Sequence, residues 1–287
     1  MAAPSVRLGV DIGGTFTDVV LEKDGISFST KVLTTYAAPE NAIIDGMHQV
    51  CVKADVSPSQ IDQIIHGTTL ATNALIERRG AKTALITTEG FRDVIEMRTE
   101  SRFEQYDLNL NLPDPLLPRH MRFTVAGRVD ANGQVLVDID RTEVEAVVDQ
   151  IAEGGFESVA VGLIHSYLNP AHEQLVREVL AEKLPDVAVS ISSEVSPQMR
   201  EYERFNTVVA NAYIKPLMAS YLGRLEDRLK GEGVSCRIFL MHSGGGIISI
   251  QNAAEFPVRL VESGPAGGAV FAAHIAARYG LDKVLSF

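Results

Sequence analysis

Basic residues are scarce in this chain. Its 26 Lys and Arg stand against 37 Asp and Glu, for a net charge of −11. That balance argues against a broad nucleic-acid surface, which needs a basic face. It does not exclude a small phosphate ligand, because loop amides and a metal ion bind phosphate without net positive charge. Cysteine is nearly absent. Cys51 and Cys236 are too few for a disulfide framework or a zinc cluster, and both are expected to be buried thiols. No apolar run approaches the roughly 18 residues of a membrane span. The opening MAAPSVRLG lacks the charged and apolar regions of a secretory leader. There is also no Asn-x-Ser/Thr sequon, so a soluble, cytoplasmic protein is the expectation. Three chemical signatures are missing as well. Neither the Gly-x-x-x-x-Gly-Lys loop nor Gly-x-Gly-x-x-Gly occurs. Met241 and Val261 break the Gly-x-Ser-x-Gly pattern around Ser243 and Ser263, which leaves glycine-rich turns as the reading there.

What is present is globular. The 287 residues are 46% hydrophobic and 22% charged, enough for a sizeable core in one large or two ordinary domains. Residues 6–10, 18–22 and 26–33 read as short strands, the last two joined by a Lys23-Asp24-Gly25 turn. Pro39 then precedes a helix with Ile43, Met47, Val50, Cys51 and Ala54 at helical spacing. A strand (61–67), a helix (69–79) stopped by Gly80, and a strand (82–90) complete a βββαβαβ order. That order predicts a mixed sheet carrying helices. Residues 91–120 read as an excursion, and residues 121–140 as a hairpin turning at 130–133. Asp140-Arg141-Thr142-Glu143 resembles a capping box opening a helix. Residues 158–167 read as a buried strand, and Asn169-Pro170 as a helix start. A further strand is expected over 188–195. A long helix follows over 202–230, which Pro216 must kink or divide. A strand over 236–246 ending in three glycines, a glycine-rich turn at 263–268 leading into a helix, and a final strand over 283–287 end the chain.

The stretch that asks most for a chemical explanation is Asp11-Ile12-Gly13-Gly14-Thr15-Phe16-Thr17-Asp18. A plain hairpin accounts for the glycines but not for an acid and two hydroxyls. Gly13 and Gly14 let the backbone approach a phosphate, with no Cβ in the way. Their N–H groups and the hydroxyls of Thr15 and Thr17 would donate to it. Asp11 would hold Mg²⁺ through water, since Mg²⁺ keeps much of its hydration shell. His66-Gly67-Thr68-Thr69 stands at a strand-to-helix junction. It reads either as a cleft wall, with Asn73 one turn on, or as an ordinary helix cap with a structural histidine. Thr87-Thr88-Glu89-Gly90-Phe91-Arg92-Asp93 ends another strand. Arg92 could anchor an anion there or pair with Asp93 or Glu89, and Arg98 and Arg102 carry the same two readings.

RLGVDIGGTFTDVVL (7–21), HGTTLATNALIERRGAKTALITTEGFRD (66–93) and ESGPAGG (262–268), in this order and spacing, resemble the N-terminal part of the hydantoinase A/5-oxoprolinase family. That family lies within the actin-like ATPase superfamily. The resemblance implies an α/β, actin-like (ribonuclease H-like) fold with a phosphate-loop lobe over 1–97 and an α/β region over 98–198. Residues 199–287 would begin the core domain, with the second lobe incomplete. It implies ATP and Mg²⁺ as cofactors and Asp11 as the metal-holding residue. Asp11, Thr15 and His66 become the candidate catalytic residues. Gly13, Gly14, Thr15, Thr17, Thr68, Thr69, Gly264, Gly267 and Gly268 become the candidate nucleotide contacts. The implied activity is ATP-dependent opening of a cyclic amide such as a hydantoin, oxoproline or lactam. A hydantoinase B-type partner subunit and an oligomer would accompany it. An ATP-using acetone/acetophenone-type carboxylase subunit and a non-catalytic assembly module are the rivals. Relatives carry a second Asp-x-Gly-Gly-Thr-like loop after a strand that matches 283–287. The chain is therefore expected to be a fragment that turns over little alone.

Overall fold

The computed structural model describes residues 5–35, 37–99 and 104–286. The chain forms two compact units. One combines Met1–Glu77 with Leu217–Phe287, and the other is Arg78–Pro216. In chain order the elements begin with β1 (Val6–Ile12), β2 (Phe16–Lys23), β3 (Ile26–Leu33), α1 (Pro39–Ala54), β4 (Gln63–Thr68) and α2 (Leu70–Ile76). The second unit holds β5 (Thr83–Thr88), α3 (Val94–Met97), β6 (Arg122–Val125), β7 (Arg128–Val129) and β8 (Val135–Val137). It continues with α4 (Arg141–Glu153), β9 (Ser158–Gly162), α5 (Ala171–Lys183), β10 (Ala188–Ile191) and α6 (Ser192–Val195). Helix α7 (Glu201–Gly231) is continuous through Pro216, the residue at which the second unit ends. Then come β11 (Arg237–Met241), β12 (Ile247–Ser249), α8 (Ile250–Glu255) and α9 (Ser263–Tyr279). Among the described residues no helix is long and apolar enough to cross a membrane.

The first unit is built on a six-stranded mixed sheet of order β12-β11-β4-β1-β2-β3. β1, β2 and β3 form an antiparallel meander, and β4 lies parallel to β1. Alternation decides the faces, because successive side chains in a strand point to opposite sides. Val6, Leu8, Val10 and Ile12 of β1 are buried, as are Thr17, Val19 and Leu21 of β2. α1 covers that side with Ile43, Met47, Val50, Cys51 and Ala54, all buried as its periodicity predicts. The helix comes so close that a Cβ on Gly46 would stand 2.5 Å from a Val19 methyl.

Here the expected topology needs correcting. β5 does not join the first sheet. It sits in a parallel four-stranded sheet, β10-β9-β5-β6, and β11 takes the place beside β4. β5 and β9 are buried at every position, as the central strands of a parallel sheet covered on both faces should be. Their core continues into Val144, Val147, Val148 and Ile151 of α4 and Val176, Val179 and Leu180 of α5.

Local expectations fare unevenly. Residues 122–125 pair with β5, so the expected hairpin shrinks to β7 and β8. Asp140 does cap α4, accepting from the Thr142 amide at 2.9 Å. Glu143 instead accepts from the Ala126 amide at 3.1 Å, so the capping box is not reciprocal. β9 stops at Gly162 because the chain turns at His165, whose φ is +58°. α5 starts one residue after Pro170, and the strand expected over 188–195 gives way to a helical turn at Ser192. Cys51 is buried, but Cys236 is only partly so. Residues 283–286 form no strand. They are exposed, and an extended segment becomes a strand only when another pairs with it.

Candidate functional site

The outer face of the first sheet carries a cleft of about 460 Å³. Its floor includes Asp11 and Asp18, and its sides include Gly67, Thr68, Thr69 and α9. The floor follows from strand alternation. Arg7, Gly9 and Asp11 share the face opposite the buried side chains of β1, and Asp18 stands directly across from Asp11 in the antiparallel register. Asp18 pairs with Lys31 of β3 at 2.6 Å. Asp11 opens onto the cleft, and its pKa is raised. Lost hydration is the main cause and the Asp18 carboxylate the second, with Lys31 acting in the opposite sense. Gly67 is the register partner of Asp11 on β4. A Cβ there would lie 3.0 Å from the Asp11 carboxylate oxygen Oδ1, so glycine is what lets the carboxylate stand where it does.

The β1–β2 turn consists of Gly13, Gly14 and Thr15. Neither glycine has positive φ, so the left-handed backbone of a tight two-residue hairpin does not explain them. The Gly13 amide donates to the Phe16 carbonyl at 3.0 Å, which commits it within the turn rather than to a ligand. Gly14 and Thr15 are exposed at the tip, and nothing lies within 4 Å of a Cβ placed on Gly14. Thr17 departs from its expected role. It is fully buried on the α1 side, with its hydroxyl 3.0 Å from that of Thr34, and it cannot reach the cleft.

His66 departs as well. It is in phase with Ile64 and Thr68 on β4 and is 1% exposed. Its Nε2 lies 2.8 Å from the Tyr221 hydroxyl of α7. Burial pushes its pKa down to about 4, against a weaker upward pull from the Val10 backbone, and burial pushes the Tyr221 phenol up. This is a neutral core pair and not a cleft-side acid or base, so the structural reading of His66 holds over the catalytic one. Thr68 accepts from the Leu70 amide at 3.2 Å. Thr69 donates to the Ile12 carbonyl at 3.2 Å, and Asn73 donates to the Thr69 hydroxyl at 3.3 Å. The Thr69 bond stitches the end of β4 to the end of β1, so the base of the hairpin turn and the side of the cleft are held together, and the other two bonds are local to the β4–α2 junction.

ESGPAGG does not form the expected glycine-rich turn. The helix begins at Ser263, after Glu262 takes a left-handed conformation (φ +62°). Gly264, Gly267 and Gly268 all face the cleft. A Cβ on Gly264 or Gly268 would meet nothing within 4 Å, and one on Gly267 only a Met241 methyl at 3.8 Å. The glycines therefore leave a gap between Ser263 and Phe271, the α9 side chains that also line the cleft, and are not needed for close packing of α9. The nearby His242 accepts from the Gly244 amide through Nδ1 at 2.9 Å, a bond local to that turn.

The arginines beyond β5 belong to the second unit. Asp93 is held by Arg119 at 2.8 Å, a partner that lies outside the motif. Arg92 offers its carbonyl to the buried Arg122, and the Arg98 guanidinium donates to the Pro113 carbonyl. Arg102 lies outside the described residues.

The Hydantoinase/oxoprolinase N-terminal region model matches residues 7–184, and the Hydantoinase/oxoprolinase model matches residues 204–287. The chain belongs to the hydantoinase/oxoprolinase family. Its fold is of the actin-like ATPase type, shared with two solved structures. One is the ATP-dependent caprolactamase from Pseudomonas jessenii, with a TM-score of 0.87 and 34% identity over 96% of this chain and 41% of that one. The other is nucleotide-free acetone carboxylase, with a TM-score of 0.87, 26% identity and the same coverage. Among curated relatives, the caprolactamase subunit alpha of Pseudomonas jessenii is 33% identical over 100% of this chain and 42% of its own length. The acetophenone carboxylase gamma subunit of Aromatoleum aromaticum is 30% identical over 97% and 40%. An uncharacterised protein of Methanocaldococcus jannaschii is 38% identical over 98% and 42%. This family member thus spans about two fifths of the length of those relatives.

Proposed function

We propose that this family member forms the phosphate-side wall of an ATP site in an enzyme that opens a cyclic amide. The observation that carries the reading is the Asp11 carboxylate. It stands on a cleft floor beside a side-chain-free Gly67, three residues before an exposed Gly-Thr hairpin tip. Among the described residues no group of three or more His, Cys, Asp or Glu side chains comes together around a metal position. A cation here would draw one or two carboxylate oxygens from the protein and the rest from water and phosphate. Mg²⁺, which keeps several waters and binds through few carboxylates plus phosphates, fits that donor set. In this reading Asp11 orients the hydrated cation. Gly14 and Thr15 offer backbone amides and a hydroxyl to phosphate oxygens, and Thr69 and the glycine face of α9 leave room for the rest of the ligand. Bound ATP would supply the phosphoryl group that makes a ring carbonyl oxygen a good leaving group, after which water opens the ring. The protein's part in such a transfer is positioning and charge stabilisation. A hydantoinase B-type partner subunit, oligomerisation and a cytoplasmic location belong to the same proposal.

The test is calorimetry with Mg-ATP on the wild type and Asp11→Asn, together with ATP hydrolysis assayed against hydantoins, 5-oxoproline and lactams. Binding lost in the variant, and hydrolysis that needs a ring substrate, support the proposal. Equal binding by both proteins, or none, favours a non-catalytic assembly module. The likeness to acetophenone and acetone carboxylases supports a second reading, an ATP-using carboxylase subunit. ATP hydrolysis that requires both bicarbonate and a ketone would select it.

A further inference from the structure

One transverse row crosses four strands on the cleft face of the first sheet. Gly67 of β4 pairs with Asp11 of β1, Asp11 with Asp18 of β2, and Asp18 with Lys31 of β3. The row therefore reads, across the sheet, no side chain, acid, acid, base. Like charges directly opposite each other in an antiparallel pair repel, and opposite charges attract. Asp18 has one of each beside it. The structure resolves the conflict by joining Asp18 to Lys31, Oδ2 to Nζ, at 2.6 Å. Lys31 is held from a second side as well, with its ammonium 5.3 Å from the centre of the Phe16 ring at the start of β2. Phe16 lies between the hairpin tip and Asp18 in the sequence, so one cation bridges the tip and the floor.

We infer that Lys31 is a positioning residue of this cleft, engaging Asp18 so that Asp11 alone presents a negative charge to a divalent cation and the polyphosphate it carries. The inference rests on the cleft being a nucleotide site. It assigns a task to a residue outside the DIGGTFTD motif, on the strand after it.

The consequence is a pair of opposite effects. A bare divalent cation is attracted by every uncompensated carboxylate on the floor. A magnesium–nucleotide complex, which remains net negative, is repelled by the second one. Replacing Lys31 with Met keeps an unbranched chain over Phe16 and removes the charge. Bare-cation affinity should then rise and magnesium–nucleotide affinity fall, each by roughly two- to fivefold, the span of an exposed ion pair. Both differences should shrink as salt rises. A structural role for Lys31 would weaken both ligands together.

The experiment measures Mn²⁺ binding by electron paramagnetic resonance, and binding of the magnesium complex of a non-hydrolysable ATP analogue by calorimetry. Both are made on the purified wild-type protein, Lys31→Met, Lys31→Arg and the double variant Asp18→Asn/Lys31→Met. The expected result is tighter Mn²⁺ and weaker nucleotide binding in Lys31→Met, wild-type behaviour in Lys31→Arg, and Mn²⁺ affinity returned to the wild-type value in the double variant. Affinities that fall together, that do not move, or that show no Mn²⁺ binding in any protein overturn the inference. Should the wild type bind Mn²⁺ but no nucleotide, the ATP-site proposal fails by itself, and the Mn²⁺ series still decides the role of Lys31.

Discussion

His66 converts burial into a pH dependence that can be measured. Its imidazole is 1% exposed and paired to Tyr221, and burial holds its folded-state pKa at about 4, well below the ordinary histidine value of about 6.5. For a base with a depressed folded-state pKa, the unfolded chain binds the proton more tightly. The contribution is fully present above the unfolded value and is lost as pH falls toward the folded one. The linkage relation gives a loss of about 2 kcal/mol on going from neutral pH to about pH 5, and about 3 kcal/mol by about pH 4. His66→Gln keeps a polar side chain near the Tyr221 hydroxyl and removes the titration. Urea unfolding of both proteins, followed by far-ultraviolet circular dichroism across this range, isolates the effect, because every other titrating group is common to the two. The wild type should lose stability more steeply than the variant on acidification, and the two curves should run parallel above neutrality. Curves parallel throughout would refute the neutral-core assignment. A variant that keeps its fold but loses ATP turnover completely would restore His66 as a catalytic candidate.

Three further predictions follow from close approaches and buried charge. Gly67→Ala puts a methyl 3.0 Å from Asp11 Oδ1. The carboxylate can swing away, so unfolding free energy should stay within about 1 kcal/mol of wild type, while calorimetry should find Mg-nucleotide affinity lowered roughly tenfold. Gly80→Ala places a Cβ 2.5 Å from the Tyr213 carbonyl, where Ala81 also donates its amide at 2.9 Å. Backbone must move, and chemical denaturation should report a loss of about 2–3 kcal/mol. Glu173 is fully buried, and its carboxylate accepts from the Leu163 and Ser193 amides and the Ser192 hydroxyl. Its charge also faces the buried Arg204, whose guanidinium donates to the Leu163 carbonyl at 2.7 Å. Glu173→Gln removes the larger of the two carboxylate charges facing that cation, leaving Glu201, and should cost on the order of 3 kcal/mol by the same measurement.

Most elements were legible because their signals are local. The apolar spacing of α1 and α4, the all-apolar centre of β9 and the turn at Asp24-Gly25 each specify one element from a few neighbouring residues. What they do not carry is pairing. Residues 83–88 are apolar enough for a strand buried on both faces, and that property is the same in either sheet. The strand that lies beside β4 is β11, which follows the whole second unit in the sequence. The start of α9 is hidden for a different reason. Three glycines within five residues suggest a turn when they are counted, whereas their spacing puts all three on the cleft side of one helix.

The site divides along the same line. Asp11 was legible as an acid that interrupts a strand. The misassigned residues, Thr17 and His66, carried a correct signal in their parity. Thr17 is in phase with Val19 and Leu21, and His66 with Ile64, so alternation alone sends both to the core. Motif membership gathers DIGGTFTD into one set, yet a strand divides that set between two faces, and only Asp11 and Asp18 reach the cleft floor. Gly67 and Lys31 could not be found this way. Parity gives each a face but no neighbour. Their relation to Asp11 is a matter of register across β4, β1, β2 and β3, set by core packing on the opposite side of the sheet. A one-residue slip of β3 would turn the Lys31 side chain to the other face. The charge pattern of the cleft therefore depends on the same apolar contacts that bury Val19 and Leu21.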